Sequence, residues 1–143
     1  MDEEIRVISL WQPWAWWVML GWKSIETRRH ARFACIVSEW LGIHAAQKWD
    51  DAATNLAAPW LTVEQFRRTQ EYRRNYTRGA LLGKVWCSGN RWLDSLDSKR
   101  ALIDCSTGKF GLFLNNVDEF KTPIPMRGKQ GIWIANLGVP HAR

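Results

Sequence analysis

Residues Leu10 to Arg28 read LWQPWAWWVMLGWKSIETR, a tryptophan-dense stretch that runs straight into Lys23, Glu26 and Arg28. Gln12 and Pro13 turn the chain. Proline suits a first helical position, where its missing N–H costs no hydrogen bond, and Gly21 supplies a C-terminal stop for a helix of about two and a half turns. Trp14, Trp17 and Val18 share one face of that helix. Trp16, Met19 and Leu20 fall elsewhere on it, so nearly the whole circumference is apolar and burial is expected. From Lys23 to Phe33 the pattern predicts a strand. Its period of two sends Ser24, Glu26 and Arg28 to one side and Ile25, Thr27 and Arg29 to the other. The charged side is expected to face a cleft beside the aromatic wall, a setting suited to a planar polar ligand.

Working outward, Ile5 to Leu10 predicts a short strand feeding the core. Cys35 to Ala46 (CIVSEWLGIHAA) reads as another strand entering a turn. Gln47 to Leu56 and Thr62 to Tyr76 read as helices separated by Pro59, with Thr62 and Gln65 forming a capping box. The later chain changes to β-rich runs: GALLGKVWC from Gly79, KFGLFL from Lys109 and GIWIANL from Gly131. Ser88 to Gly108 carries no clear assignment, and no repeat or low-complexity tract appears. Strands without regular crossover helices favour an α+β class over a doubly wound parallel sheet, with a compact barrel of about five or six strands and flanking helices. A chain of 143 residues is most simply one domain, residues 1–143.

Twenty Lys and Arg against fourteen Asp and Glu give a formal charge of +6, a balance that favours polyanionic partners or an acidic membrane surface, with nucleic acid preferred. Eleven tryptophans exceed what a core of this size needs, which raises the prospect of aromatic stacking on a ligand. Cys35, Cys87 and Cys105 form an odd set without short repeat spacing, pointing to neither a disulfide framework nor a zinc knuckle. The apolar run Leu10 to Leu20 is too short to span a bilayer, and the N-terminus reads MDEE where a signal peptide is basic. A cytoplasmic protein with no membrane partner is expected.

Three constellations bear on chemistry. In the first, Glu26 between Lys23 and Arg28 places a carboxylate able to accept from a base edge next to cations able to engage phosphate; a surface salt-bridge cluster fits the spacing as well. Secondly, RRTQEYRRNYTR from Arg67 to Arg78 sets Arg67, Arg68, Arg73, Arg74 and Arg78 among Tyr72 and Tyr76 at i, i+4 spacing. That is a phosphate-tracking surface with faces for stacking, or a solvated helix face. Thirdly, His44 in GIHAAQ is expected where a strand meets a helix, placed to donate to a ligand or to serve in the structure. His30 and His141 lie at unrelated spacings, so no metal site is indicated. No nucleophile motif, phosphate-binding glycine loop or dinucleotide fingerprint occurs, and GKQG at Gly128 lacks the frame of one; no cofactor is implied.

These residues resemble the ASCH domain family, named for homology to activating signal cointegrators and related to the PUA and EVE folds. ISLWQPWAWWVMLGWKSIETR is similar to that family's opening segment, with QPWA, a helix ending in Gly and a Lys-x-x-Glu-x-Arg signature. IHAA at Ile43, GALLGKV at Gly79 and PIPMRGKQGIWIANL at Pro123 resemble its later blocks, in order. The resemblance covers most of the chain outside residues 47–78 and 88–108. It implies a PUA-like β-barrel with a cleft beside the first helices, and a role in binding RNA. Gln12, Trp14, Lys23, Glu26, Arg28 and His44 would then line or support the cleft, with Arg29 among the nucleic-acid contacts.

The expectation is therefore a domain binding RNA or single-stranded nucleic acid through a basic cleft, sensing a nucleobase, modified or not. An RNA-directed enzyme using Lys23 and Glu26 is the alternative, since relatives include a ribonuclease and a modified-cytidine amidohydrolase. The amidohydrolase branch places a Thr nucleophile three residues after its Lys. Here that position is Glu26, and Thr27, one residue further, points to the opposite strand face. A protein-interaction domain is the third reading, because surplus Trp and Arg also make interface hot spots. The sequence leaves the oligomeric state open.

Overall fold

The computed structural model describes residues 3–137. His141 and the first two residues of MDEE lie outside them. Six strands form one mixed sheet: β1 (Glu4–Gln12), β2 (Ile25–Arg28), β3 (Glu39–Trp49), β4 (Ala80–Trp92), β5 (Phe110–Pro125) and β6 (Ile132–Asn136). Their order is β2-β5-β4-β3-β1-β6, with β1 and β3 parallel and every other neighbouring pair antiparallel. The class is α+β, as expected. β2 and β6 end the order, so the pairing is that of an open sheet where a closed barrel was expected.

The helices are α1 (Trp14–Met19), α2 (Ala53–Ala57), α3 (Val63–Arg73) and α4 (Ser98–Ala101). Alternation along β1 explains why the sheet is covered on both faces. Ile8 and Leu10 enter a core with Val18 and Met19 of α1, whereas Ile5 and Val7 pack with Leu81 and Trp133 on the other side. The aromatic surplus of α1 clips the remaining helices to it. Trp17, fully buried, donates through Nε1 to Thr69 Oγ1 of α3 at 3.0 Å, and Trp16 stacks on Tyr72 with ring centroids 4.0 Å apart and planes 10° apart.

Local chemistry revises several expected elements. The strand expected over residues 23–33 stops at Arg28, because residues 31–36 fold into tight turns closed by Ala34 N–H to Ala31 O and Ile36 N–H to Phe33 O. β3 runs on to Trp49, so Gln47–Trp49 is strand where helix was expected, and His44 sits inside β3. Trp49 pairs with Gln12 of β1, which extends the strand past the β4 ladder's end at Ala45, and the helix waits for Ala53. Thr62 and Gln65 form the expected capping box at the start of α3, which ends at Arg73. Within the unassigned segment from Ser88 to Gly108, β4 continues to Trp92, then a 3-10 turn over Ser95–Asp97, capped by Asp94, leads into α4.

Candidate nucleic-acid interface

The β1–β3 register sets Ser9 directly beside His44. Ser9 Oγ and His44 Nδ1 are 3.0 Å apart, and Trp133 Nε1 donates to Ser9 Oγ at 3.3 Å from the neighbouring β6. The segment between β5 and β6, residues 126–131, crosses in front of this pair. Its anchor is Met126, whose carbonyl oxygen is 2.8 Å from His44 Nε2. Its close approach depends on Gly128: a Cβ there would come within 2.6 Å of His44 Cε1 and 2.7 Å of Ser9 Oγ.

Ser9, His44 and residues 126–131 line a cleft of about 930 Å³, whose walls also carry Arg28 and Arg32, with Arg127 and Lys129 among its basic groups and no carboxylate among the described lining residues. Arg28 comes from the end of β2. Its guanidinium lies over Phe33, 4.7 Å from the ring centroid, and its Nη2 is 3.4 Å from Glu26 Oε2. Its Nε is buried without a hydrogen-bond partner.

The expected site residues divide. Arg28 and His44 line the large cleft. Trp14 and Glu26 line a smaller neighbouring cavity of about 220 Å³, together with Asp50 and Thr27. Lys23 lines neither cavity: it is 2% exposed, donates from Nζ to Ala101 O at 2.5 Å, and lies 5.0 Å from the Trp14 ring centroid and 3.9 Å from Glu26 Oε1. Burial lowers its pKa from 10.5 to about 8, partly countered by the Glu26 charge. Gln12 is fully buried and spends its amide on the fold. Its Oε1 accepts from Trp16 N–H at 2.8 Å, and its Nε2 donates to Tyr72 Oη and Thr77 O at 3.0 and 2.9 Å.

None of Arg29, Arg67, Arg68, Arg73, Arg74 and Arg78 lines the large cleft. Arg67 is bridged by Glu64 and Glu71 of its own helix, Arg73 is paired with Asp51, Arg68 lies over Trp22 and Arg78 over Tyr76, while Arg29 and Arg74 are exposed. The tyrosines expected as stacking faces are turned toward the protein's own Trp16 and Trp49. Most of the cleft wall escaped the sequence reading, including Ser9, Trp11, Arg32, Arg127 and Lys129. The RGKQG stretch was the signal available, a basic glycine-bracketed loop just before a strand. Among the described residues no group of three or more His, Cys, Asp or Glu is placed to hold a metal, and no helix is long and apolar enough to cross a membrane.

A mixed open sheet with an N-terminal strand–helix motif, and a cleft between its central strands and the segment before the last strand, defines the class of fold. That fold is ASCH-like. The crystal structure of the ASCH protein from Zymomonas mobilis matches with a TM-score of 0.54 at 16% identity, over 84% of this chain and 72% of that one. A serine-to-alanine variant of the same protein gives 0.53 at 16% identity, over 85% and 73%, and a tyrosine-to-phenylalanine variant gives 0.51 at 15%, over 84% and 74%. No protein-family model and no curated protein matches the sequence.

Proposed function

We propose that this ASCH-like domain binds RNA or single-stranded nucleic acid in the large cleft. The observation that carries the reading is the cleft wall itself: Arg28, Arg32, Arg127 and Lys129 converge there with no carboxylate among the described lining residues. Four cations around a space of nucleotide size favour a phosphodiester chain. The ion pairs of Arg67 and Arg73 favour this cleft over α3 for the phosphate contacts. A cytoplasmic setting accompanies the reading.

The test is the affinity for labelled single-stranded RNA across a salt series. Log K falls linearly with log salt, and Arg127→Ala with Lys129→Ala flattens the slope by about 1.4, at about 0.7 for each phosphate no longer neutralised. Arg67→Ala leaves both affinity and slope unchanged. Binding indifferent to salt, or to the double substitution, overturns the assignment of the cleft.

A second reading, an RNA-directed ribonuclease or amidohydrolase, draws on Glu26, which lines the smaller cavity with the buried Lys23 ammonium 3.9 Å behind it. Product analysis of RNA after incubation decides it: cleavage or deacylation that Lys23→Ala abolishes puts the enzyme first, and intact RNA removes it.

A further inference from the structure

Trp11 is 46% exposed, although Leu10 and Gln12 on either side of it in β1 are buried. The β1–β3 register slips between Leu10, opposite Ala45, and Gln12, opposite Trp49. Strand alternation sends Trp11 to the face opposite Leu10 and Gln12, the face from which Ser9 also reaches the large cleft, and the slip falls beside it. Trp11 forms part of the wall of both the large cleft and the smaller cavity, standing where the two adjoin. Lys48 Nζ is 4.4 Å from its ring centroid, a cation–π contact that accounts for only part of the indole surface.

Other aromatic groups lack this combination. Trp40 and Trp92 are exposed but line neither cavity, and Phe33, in the large cleft, is 7% exposed with the Arg28 guanidinium over its ring. Trp14 lines the smaller cavity, but its Nε1 is committed to Asp50 Oδ2 at 2.8 Å and its ring is packed edge-on against Trp17. Trp11 is thus the indole that combines exposure with a place among the cleft cations.

We propose that Trp11 is the stacking platform for an unpaired nucleobase, with the attached phosphates held by Arg127 and Lys129, so that the site selects single strands over duplexes. This rests on the reading of the large cleft as a nucleic-acid site. Stacking on indole accepts any base, because each has a π-face, but the base must be free of its helical neighbours. Duplex nucleic acid keeps its bases stacked on one another and has only phosphates to offer the cations. The discrimination between the two forms therefore belongs to the indole, and the salt dependence belongs to the basic residues.

The experiment compares a labelled eight-nucleotide oligouridine with a labelled RNA duplex, using wild-type protein, Trp11→Ala, Trp11→Phe and the Arg127→Ala, Lys129→Ala double variant. Trp11→Ala weakens oligouridine binding by about five- to a hundredfold, as expected when one base loses its stacking face, and leaves duplex binding within about twofold. Trp11→Phe recovers most of the loss. An equal effect on both nucleic acids, or none on oligouridine, overturns the platform; if the double variant still loses affinity, the cleft reading survives without it. Wild-type protein that binds neither probe overturns both. Photocrosslinking of wild-type protein to a 5-iodouridine oligonucleotide, mapped by mass spectrometry, gives an answer independent of how the variants fold. A crosslink at Trp11 supports the proposal, and crosslinks confined to other residues refute it.

Discussion

His44 Nε2 lies 2.8 Å from the carbonyl oxygen of Met126, so this ring nitrogen carries the proton and donates it. Nδ1 is then the acceptor for the Ser9 hydroxyl, which itself accepts from Trp133 Nε1. The bonds run in one direction, from an indole through a hydroxyl and an imidazole to the backbone at the start of the cleft segment. Burial pushes the His44 pKa below its ordinary 6.5, against the opposing pull of the Met126 carbonyl, and so favours the neutral ring that this chain of bonds uses.

The contribution of His44 to stability follows from that direction. A depressed folded pKa means the unfolded chain takes up the proton first, so the contribution is complete above pH 6.5 and declines as pH falls below that value. Urea unfolding between pH 7.5 and 5 is expected to show this decline in the wild type and a smaller one in His44→Gln; parallel curves would contradict it.

Gly128→Ala is expected to disturb the cleft without altering any charge. The added methyl meets His44 Cε1 and Ser9 Oγ well inside contact distance, so residues 126–131 have to move outward. Overpacking of this kind costs about 1–3 kcal/mol. A lowered urea midpoint together with weakened RNA binding is the expected result, and wild-type values for both would show that the segment has room to spare.

Lys23 has the same sign at higher pH. Its folded pKa of about 8 lies below the ordinary 10.5, so its unfavourable burial as a cation is relieved as pH rises between the two. A shift of this size is worth up to about 3 kcal/mol. Cys105, whose thiol is raised by burial, works in the opposite direction in that range. Comparison of the wild type with Lys23→Met separates the two: the wild type gains stability relative to the variant from pH 7.5 to 10, and a constant difference would refute the assignment.

Tyr72→Phe tests whether α3 acts as structure. The substitution keeps the stack on Trp16 but removes the hydroxyl that accepts from Gln12 Nε2 and from Thr77 N–H. Loss of hydrogen bonds to buried partners costs about 1–3 kcal/mol. Thermal unfolding is expected to shift downward by that amount while RNA affinity per folded molecule is unchanged; a loss of affinity at full stability would return α3 to the interface.

Much of the fold was legible because its cues are local. The strand–Pro–helix–Gly order of residues 5–21, the Thr62 capping box and the β-rich runs after Gly79 each depend on near neighbours in the chain. Closure into a barrel was not legible in this way, since it concerns which strands end the sheet. The site was half legible for a similar reason. Arg28 and His44 were marked by their motifs, whereas Arg127 and Lys129 reach the cleft through the pairing of β6 with β1, more than a hundred residues apart. The pairing of Arg67, by contrast, was written in the Glu64-x-x-Arg67-x-x-x-Glu71 spacing, a helical signature outweighed by the count of arginines. Trp11 carried no distinguishing mark among its tryptophan neighbours, because which face of β1 borders the cleft is set by the segment before β6, far along the chain.

The pairing of Glu4 in β1 with Asn136 in β6 has a consequence for biosynthesis. Ser9 and Trp11 emerge from the ribosome early, but Arg127, Lys129 and the strand that holds their segment in place emerge more than a hundred residues later. A nascent chain arrested before β6 has the indole and the imidazole but no cleft around them. On the proposed reading, the cleft that holds nucleic acid is therefore completed only once the partner strand of β1 has been made.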